Sequence, residues 1–588
     1  MYQIIMQFMQ SLIFNSNRNF IRERKKRQMD KKTKMKFNIL AIFVIIIFSF
    51  ALTPKTLQND TYYTIAIGEH ILENGIDMQD PFSWHEDLPY TYPHWAYDVG
   101  TYLVFKLGEN VGIGGFNAIY IATAVLAIAL GIIIYYALNK ICKNQLVSFF
   151  VTLGMMYLLQ SFIAARAQLV TYILFVLTIL FIEKFIETKK VRYAVGLIII
   201  PIIIANVHSA VWPFYFVLYL PYIAEYLIAT LADSDMQRKI VLKFNKNKLK
   251  KLTLKNAPAE EIENLTKKID TLQSELEEGI RKREIRRENP YRIKLKKEKN
   301  VKYLIIIMII CIFTGLLTPL GTTPYTYLPK TMEGNTMSNI SEHLPLTLIN
   351  DLKTLTVLIL FLLILIFTDV KIKLRDLFML GGLILMAFMS RRQISMFVLI
   401  GGFIFAKLLV GLIDKYDQTG TNQVIKAMTS LLGKIITVLL AILISFMLYR
   451  GKINSPIVSE SSYPVEACDY ILENLDIENM RIFNEYNYGS YMLYRGIPVF
   501  IDSRADLYTP EFNGTKNEDG KYEGRDIFSD YLNISNISTY YENKFEQYDI
   551  THVLIRKNSK LNMLLSRDDN YDLLYSDDNF VLYERMTD

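Results

Sequence analysis

Apolar runs recur along this chain at close to the length that lets a helix cross a bilayer, about 20 residues. The first covers about 37–53, and others follow at about 113–138, 145–162, 168–187, 191–207 and 210–230. After a polar interval they resume at about 301–318, 352–369, 375–390, 393–412 and 428–449. The runs are predominantly apolar along their length, and together they predict about eleven transmembrane helices. Three stretches depart from the pattern. Residues 54–112 are dense in acids, aromatics and histidine, and "TYYTIAIGEHILEN" and "HWAYDVGTYLVFKL" within them predict two helices lying along the membrane. Residues 231–300 are strongly charged, with Ile262, Leu265, Ile269, Leu272 and Leu276 at three-four spacing, which predicts a helix that pairs with another. From about 451 to 588 the periodicity changes again. "DYILENL" and "YGSYMLYRG" predict short helices, whereas "MRIFNE", "PVFID", "ITHVLIRK" and "FVLYERM" predict strands. The expected fold is therefore a polytopic all-α membrane domain over 37–450 with a small C-terminal α/β domain.

Charge orients this scheme. The N-terminal segment 1–36 carries "RNFIRERKKRQMDKKTKMK", and the span after it lacks a clean small-x-small exit, so it predicts an uncleaved first span with its basic side in the cytoplasm. The connections "NKICKNQ", "EKFIETKKVR", 231–300, "DVKIKLRD" and "DKYDQTG" fall on that same side. An odd number of spans then places the first loop and the C-terminal domain outside the cell. The net charge of +7 is accounted for by this topology and by anionic membrane lipids, with no need for a nucleic-acid partner. Three cysteines, Cys142, Cys311 and Cys468, stand far apart and imply neither a disulfide framework nor a metal cluster.

Polar residues concentrate at the outer ends of the predicted spans. Arg166 lies in "SFIAARAQLVTY", Asn206 and His208 in "IIANVHSAVW", Glu342 and His343 in "SEHLP", and Arg391 and Arg392 in "MSRRQISMF". A charge in the apolar zone costs roughly 2.5–3.5 kcal/mol. Snorkelling into headgroups accounts for any single arginine. Three in two tight outer turns suit an anionic group held at the outer face. Asp60 follows directly after the first span, where a carboxylate either caps a helix or serves as a general base close to a lipid-linked substrate. His94 and Asp98 are one helical turn apart and share a face. Asp502 and Arg504 follow "PVFID", a position that holds binding residues in open α/β sheets and equally suits salt bridges within the domain. Asp80, before a proline, reads as a turn residue.

The motifs together resemble a family. An acid after the first span, followed by "GEHILENGIDMQDPFSW" and "YPHWAYDVGTYLVF", resembles the first outer loop of bacterial integral-membrane glycosyltransferases of GT-C architecture. These are related to the protein O-mannosyltransferases and the lipid A aminoarabinose transferases. "AARAQLVTYILF", "IIANVHSAVW", "TPLGTTPYTY", "SEHLP", "SRRQISMF" and the tail motif "FNEYNYGSYMLYRGIPVFIDSRADLY" are similar to a group within that superfamily having an extracytoplasmic C-terminal domain. The resemblance runs from about residue 55 to the end, apart from 231–300. It implies a polyprenyl-phosphate sugar donor, a glycan, lipid or protein acceptor, and a catalytic or metal-binding role for the first-loop acid, here Asp60. No cofactor is required by the sequence, and a divalent metal is compatible with it. The chain departs from the pattern just before Trp95, where His94 stands in place of a second acid and Asp98 is the nearest carboxylate. The expected activity is glycosyl transfer. A lipid-linked sugar transporter would call for inverted repeats and mid-membrane polar residues, which are not seen in the sequence. A non-catalytic subunit of cell-envelope polysaccharide assembly is the third class, kept open by His94.

Overall fold

The structure is a computed structural model, and it describes residues 30–231, 235–254, 258–288, 293–417 and 419–586. Most of the basic N-terminal flank lies outside the described residues. The chain enters the bundle through α1 (Lys31–Leu52), started by Asp30, whose carboxylate accepts the Thr33 N–H at 3.0 Å. The first loop contributes α2 (Asn59–Asn74) and α3 (Trp95–Val111). The bundle continues through α4 (Gly115–Cys142), α5 (Gln145–Leu158), α6 (Ala167–Thr188), α7 (Val191–Val207) and the broken helix α8 (Ser209–Leu231). Then come α9 (Asp235–Leu254), α10 (Ala259–Glu288), α11 (Val301–Leu316) and α12 (Thr323–Glu333). The last bundle helices are α13 (Leu352–Phe367), α14 (Leu374–Met389), α15 (Ile394–Tyr416) and α16 (Leu431–Tyr449).

Among the described residues, six helical segments have the length and apolarity to cross a membrane: α1, α4, α6, α8, and the stretches containing α15 and α16. Four more, α5, α7, α11 and α13, are apolar but shorter. The expected run at 375–390 is also helical, as α14. Many large apolar side chains on these helices point outward, Leu362, Phe367, Leu439 and Phe446 among them, as a lipid-facing surface requires. The expected partner of the apolar stripe in 259–288 is present within the chain: α10 packs on α9, and Ile269 is buried between them.

At the bundle end reached by the C-terminus of α6, five charges form a buried network. Arg375 lies 3.0 Å from Glu183 and 3.8 Å from Glu225, while Lys407 lies 2.7 Å from Glu183 and 2.8 Å from Asp376. Such a network adds little net stability, but breaking one member leaves an uncompensated buried charge costing about 3–5 kcal/mol. It pins α6, α8, α14 and α15 together at that end, so the opposite ends of α6 and α14 are held in register for the polar residues there.

The tail contains α17 (Val465–Asn474), β1 (Ile482–Phe483), α18 (Tyr486–Tyr494), α19 (Ile527–Asn536), β2 (His552–Arg556), β3 (Tyr571–Ser576) and β4 (Phe580–Arg585). Its sheet has the order β1-β2-β4-β3, parallel between β1 and β2 and antiparallel elsewhere. The expected strand "PVFID" does not join this sheet. Its backbone pairs instead with the first loop: Trp84 N–H donates to Val499 O at 3.4 Å and Val499 N–H to Phe82 O at 3.3 Å. The loop and the tail in fact share one apolar core, in which Tyr62, Ile65, Ile67 and Tyr92 pack with Tyr463, Tyr488, Val499 and Phe500. Burial of each such side chain contributes roughly 1.5–3 kcal/mol. The two segments are thus one folded body, although some 340 residues of sequence separate them.

Candidate functional site

Asp60 sits in the first turn of α2, but it is not the cap. Gln58 occupies that position and makes no side-chain capping bond. The Asp60 carboxylate turns toward the bundle, where Arg166, just before α6, brings its Nε to 2.9 Å from Oδ2. The contact is an ion pair whose angle lies outside hydrogen-bond geometry. Arg166 also reaches Glu342, Nη1 to Oε1 at 3.4 Å. The Asp60 and Arg166 side chains are about a quarter exposed and Glu342 half exposed, so the trio borders an open space. Asp60 Oδ1 has no partner among the described residues.

Backbone hydrogen bonds tie the arginine turn to the same place. Arg391 N–H donates to Leu344 O at 3.0 Å, Arg392 N–H to Glu342 O at 2.9 Å, and the Ser390 hydroxyl to Glu342 O at 3.2 Å. The turn between α14 and α15 is thereby fixed against "SEHLP". The charge of Arg392 acts on both His208 and His343. His343 Nδ1 is buried without a hydrogen-bond partner among the described residues. Burial, reinforced by Arg392, holds the His343 pKa below its ordinary value, so the ring is neutral near pH 7. Arg391 and Arg392 are both partly exposed.

The His94–Asp98 pair forms a second cluster beside the first. His94 Nδ1 lies 3.1 Å from each Asp98 carboxylate oxygen, and Asp98 is fully buried. Desolvation raises the Asp98 pKa, and His94 opposes the shift. Close packing of α2 on α3 places this pair: a Cβ at Gly68 would stand 2.2 Å from Asp98 O, so only glycine lets the helices meet there. Tyr63 joins the clusters. Its hydroxyl lies 3.4 Å from His94 Nε2, and its ring is within electrostatic reach of Asp60 and Arg166. The rings of His94 and His208 are 6.2 Å apart, and His208 Nδ1 is 3.1 Å from the Thr171 hydroxyl.

Asn206 is committed elsewhere. Its oxygen accepts from Trp95 Nε1 at 3.1 Å, and its nitrogen donates to Leu317 O at 2.9 Å, so it braces α3 against the α11 end. Asp502 and Arg504 are buried and also spoken for. Arg504 bonds Asp502 through Nη2 at 2.7 Å and Asp80 through Nη1 at 2.7 Å, and Tyr508 donates to Asp502 at 2.5 Å. They join the tail to the Asp80 turn, which also accepts the Phe82 and Ser83 N–H groups. The structure therefore brings together Asp60, His94, Asp98, Arg166, His208, Glu342, His343 and Arg392, and keeps Asp502 and Arg504 in a separate buried network. Three residues at the site were not singled out in the sequence: Tyr63, Thr171 and Tyr486, the last within electrostatic reach of Asp60 and Arg166. Tyr63 stands three positions after Asp60, on the same helical face, and that spacing was the available signal.

Among the described residues no group of three or more His, Cys, Asp or Glu side chains has the arrangement of a metal site.

No protein-family model matches the sequence, and no curated protein matches it. Solved structures do. The chain is similar to the archaeal oligosaccharyltransferase AglB from Archaeoglobus fulgidus in complex with an inhibitory peptide and a dolichol-phosphate. The TM-score is 0.51 and the identity 12%, with 94% of this chain and 74% of that chain covered. It is also similar to the apo crystal structure of the Archaeoglobus fulgidus oligosaccharyltransferase, with TM-score 0.50 and identity 12%, over 88% of this chain and 69% of that one. The likeness extends over most of the chain. It is a likeness of fold.

Proposed function

We propose that the chain is a membrane glycosyltransferase that moves a sugar from a polyprenyl-phosphate donor to an extracytoplasmic acceptor, with Asp60 as the base. The supporting observation is the convergence of Asp60, Arg166, Glu342 and the Arg391–Arg392 turn at one end of a membrane bundle. The fold it shares with an oligosaccharyltransferase solved with a dolichol-phosphate adds to this. On this reading eleven helices cross the membrane, the site end faces outward, and the 231–300 excursion is cytoplasmic, following the positive-inside bias.

The chemistry follows from charge. As the anomeric carbon–oxygen bond breaks, its electron pair goes to the phosphate, and fixed guanidinium groups stabilise the growing negative charge. On this reading Arg392 and Arg166 supply that charge, and arginine presents a planar fork to phosphate oxygens. The acceptor hydroxyl loses its proton to Asp60 Oδ1 and attacks from the opposite face, which inverts the anomeric centre. Arg166 holds the Asp60 carboxylate in place through its Oδ2. A second reading assigns the proton to His94, because Asp98 holds its Nδ1 and leaves Nε2 toward Tyr63. The experiment is direct: purified protein with a polyprenyl-phosphate hexose and a cell-envelope acceptor fraction should release polyprenyl phosphate. No release would remove the enzymatic reading in favour of a transporter or an assembly subunit. Activity that survives exhaustive chelation would exclude a divalent-metal requirement.

A further inference from the structure

A cleft of about 370 Å³ opens where the first loop meets the tail, within the range of about 300–1,000 Å³ typical of ligand sites. None of its lining residues belongs to the ion cluster around Asp60. One wall is aromatic and rigid. Trp84 is fixed by its Nε1, which donates to Ile482 O at 3.0 Å, and His85 lies against it at 4.2 Å between ring centres. Tyr548 stands across at 6.3 Å and 73°, anchored by its hydroxyl on Asp530 at 2.7 Å. His85 donates through Nε2 to Phe500 O at 2.9 Å, and burial lowers its pKa to about 4, so it is uncharged at neutral pH.

The rim is polar and mixed in sign. Arg525 donates to the Glu86 carbonyl, and Arg481 to Asp549 at 3.0 Å. The Glu86 carboxylate and the Gln547 side-chain nitrogen have no partner among the described residues. The carboxylates of Glu86, Asp526 and Asp530 repel a phosphate or a nucleic acid, and the two guanidinium groups repel a metal cation. A neutral ligand rich in hydroxyls satisfies the mixed-charge rim, and one apolar C–H face suits the aromatic wall beside Arg481, whose guanidinium lies 5.8 Å from the Trp84 ring centre.

We infer that this cleft is a saccharide-binding subsite that holds the neutral glycan of the acceptor. Its role as acceptor subsite rests on the glycosyl-transfer reading; its binding of saccharide does not. The path to the reaction centre is short in sequence. Asn335 donates to Asp526 at the cleft at 3.3 Å and stands seven residues before Glu342. Seven extended residues span at most about 25 Å, so Asn335 at the cleft lies within the reach of an oligosaccharide from Glu342. The acceptor class is thus a glycan rather than a small lipid.

The test uses the full-length protein in detergent and the fluorescence of its three tryptophans. The probes are tetramers of glucose, mannose and N-acetylglucosamine, with inorganic phosphate and a neutral tetrapeptide as controls. At least one tetramer should cause a saturable change, and Glu86→Ala and Gln547→Ala should each weaken it about tenfold. Thermal unfolding midpoints in the same detergent should be unchanged in both variants, which reports that they are folded. The inference is overturned if no tetramer acts at millimolar concentration, if the substitutions leave binding unaltered, or if phosphate or peptide binds equally well. Donor turnover without saccharide binding overturns the cleft alone. Saccharide binding without any donor turnover overturns its role as an acceptor subsite and leaves it a saccharide site.

Discussion

Replacing Asp60 by asparagine separates catalysis from folding at the centre of the proposed site. The substitution keeps shape and removes both the negative charge and the basic oxygen. Its structural cost is bounded by what the carboxylate does in the fold. A first-turn acid is worth about 0.3–1 kcal/mol to its helix, and Asp60 caps nothing. The pair with Arg166 is about three-quarters buried on both sides, so it lies between the roughly 0.2–1 kcal/mol of an exposed pair and the roughly 3–5 kcal/mol of a broken buried one, and Glu342 still faces Arg166 in the variant. That cost remains below a typical folding free energy of about 5–15 kcal/mol. Loss of a positioned acid–base group, by contrast, lowers turnover about 10²- to 10⁴-fold. The assay is release of polyprenyl phosphate by D60N, run beside thermal unfolding in the same detergent. A well-folded D60N with near-parental turnover would refute the assignment and transfer the role to His94 and Asp98. Loss of turnover accompanied by collapse of the unfolding midpoint would instead mark Asp60 as structural.

Four further outcomes are expected. Alanine at Arg392 should weaken binding of polyprenyl-phosphate sugar about tenfold to a hundredfold, since charge-assisted hydrogen bonds contribute about 1.5–3 kcal/mol; R391A should do less, because Arg392 is the one whose charge reaches both His208 and His343. Equal binding by R391A, R392A and parent would dismiss the phosphate cradle. Arg504→Met strands the carboxylates of Asp80 and Asp502 and should cost about 3–5 kcal/mol in unfolding measurements; a midpoint within error of the parent refutes the stitching role. Burial alone raises the Asp80 pKa, but Arg504 and Ser83 outweigh it and hold it below the ordinary carboxylate value of 3.8. The ionised Asp80 therefore adds stability that is complete above pH 3.8 and lost as pH falls from there through the lowered native pKa, and Asp80→Asn should flatten that acid limb. In a variant lacking native cysteines, a probe at Asn513 should be labelled from outside intact cells and one at Ser274 should not; the reverse pattern overturns the proposed orientation.

Much of the bundle was legible because lipid leaves few options. A backbone in hydrocarbon must satisfy its hydrogen bonds internally, so apolar runs of span length become helices whatever they pack against. The helical character of the runs from 37–53 to 428–449, the change of periodicity near residue 451 and the paired helices of the first loop all follow from one-dimensional pattern. So did the short list of polar residues stranded at span ends, because a charge at such a position is costly and stands out. What the tertiary structure decided is which of these meet. Asp60 and Arg166 are 106 residues apart, and Arg166 and Glu342 are 176 apart; no local periodicity connects them, and their contact depends on how α2, α6 and the turn after α14 pack. The same holds for "PVFID", which reads as a sheet strand but pairs with Phe82 and Trp84. Strand propensity specifies an extended backbone, not its partner. Asp502 and Arg504 read equally well as binding residues or as salt bridges until Asp80 was seen to close the network. Local sequence sets the conformation of each segment, whereas long-range pairing depends on the sum of burial and charge compensation over the whole fold, and only the folded chain evaluates that sum.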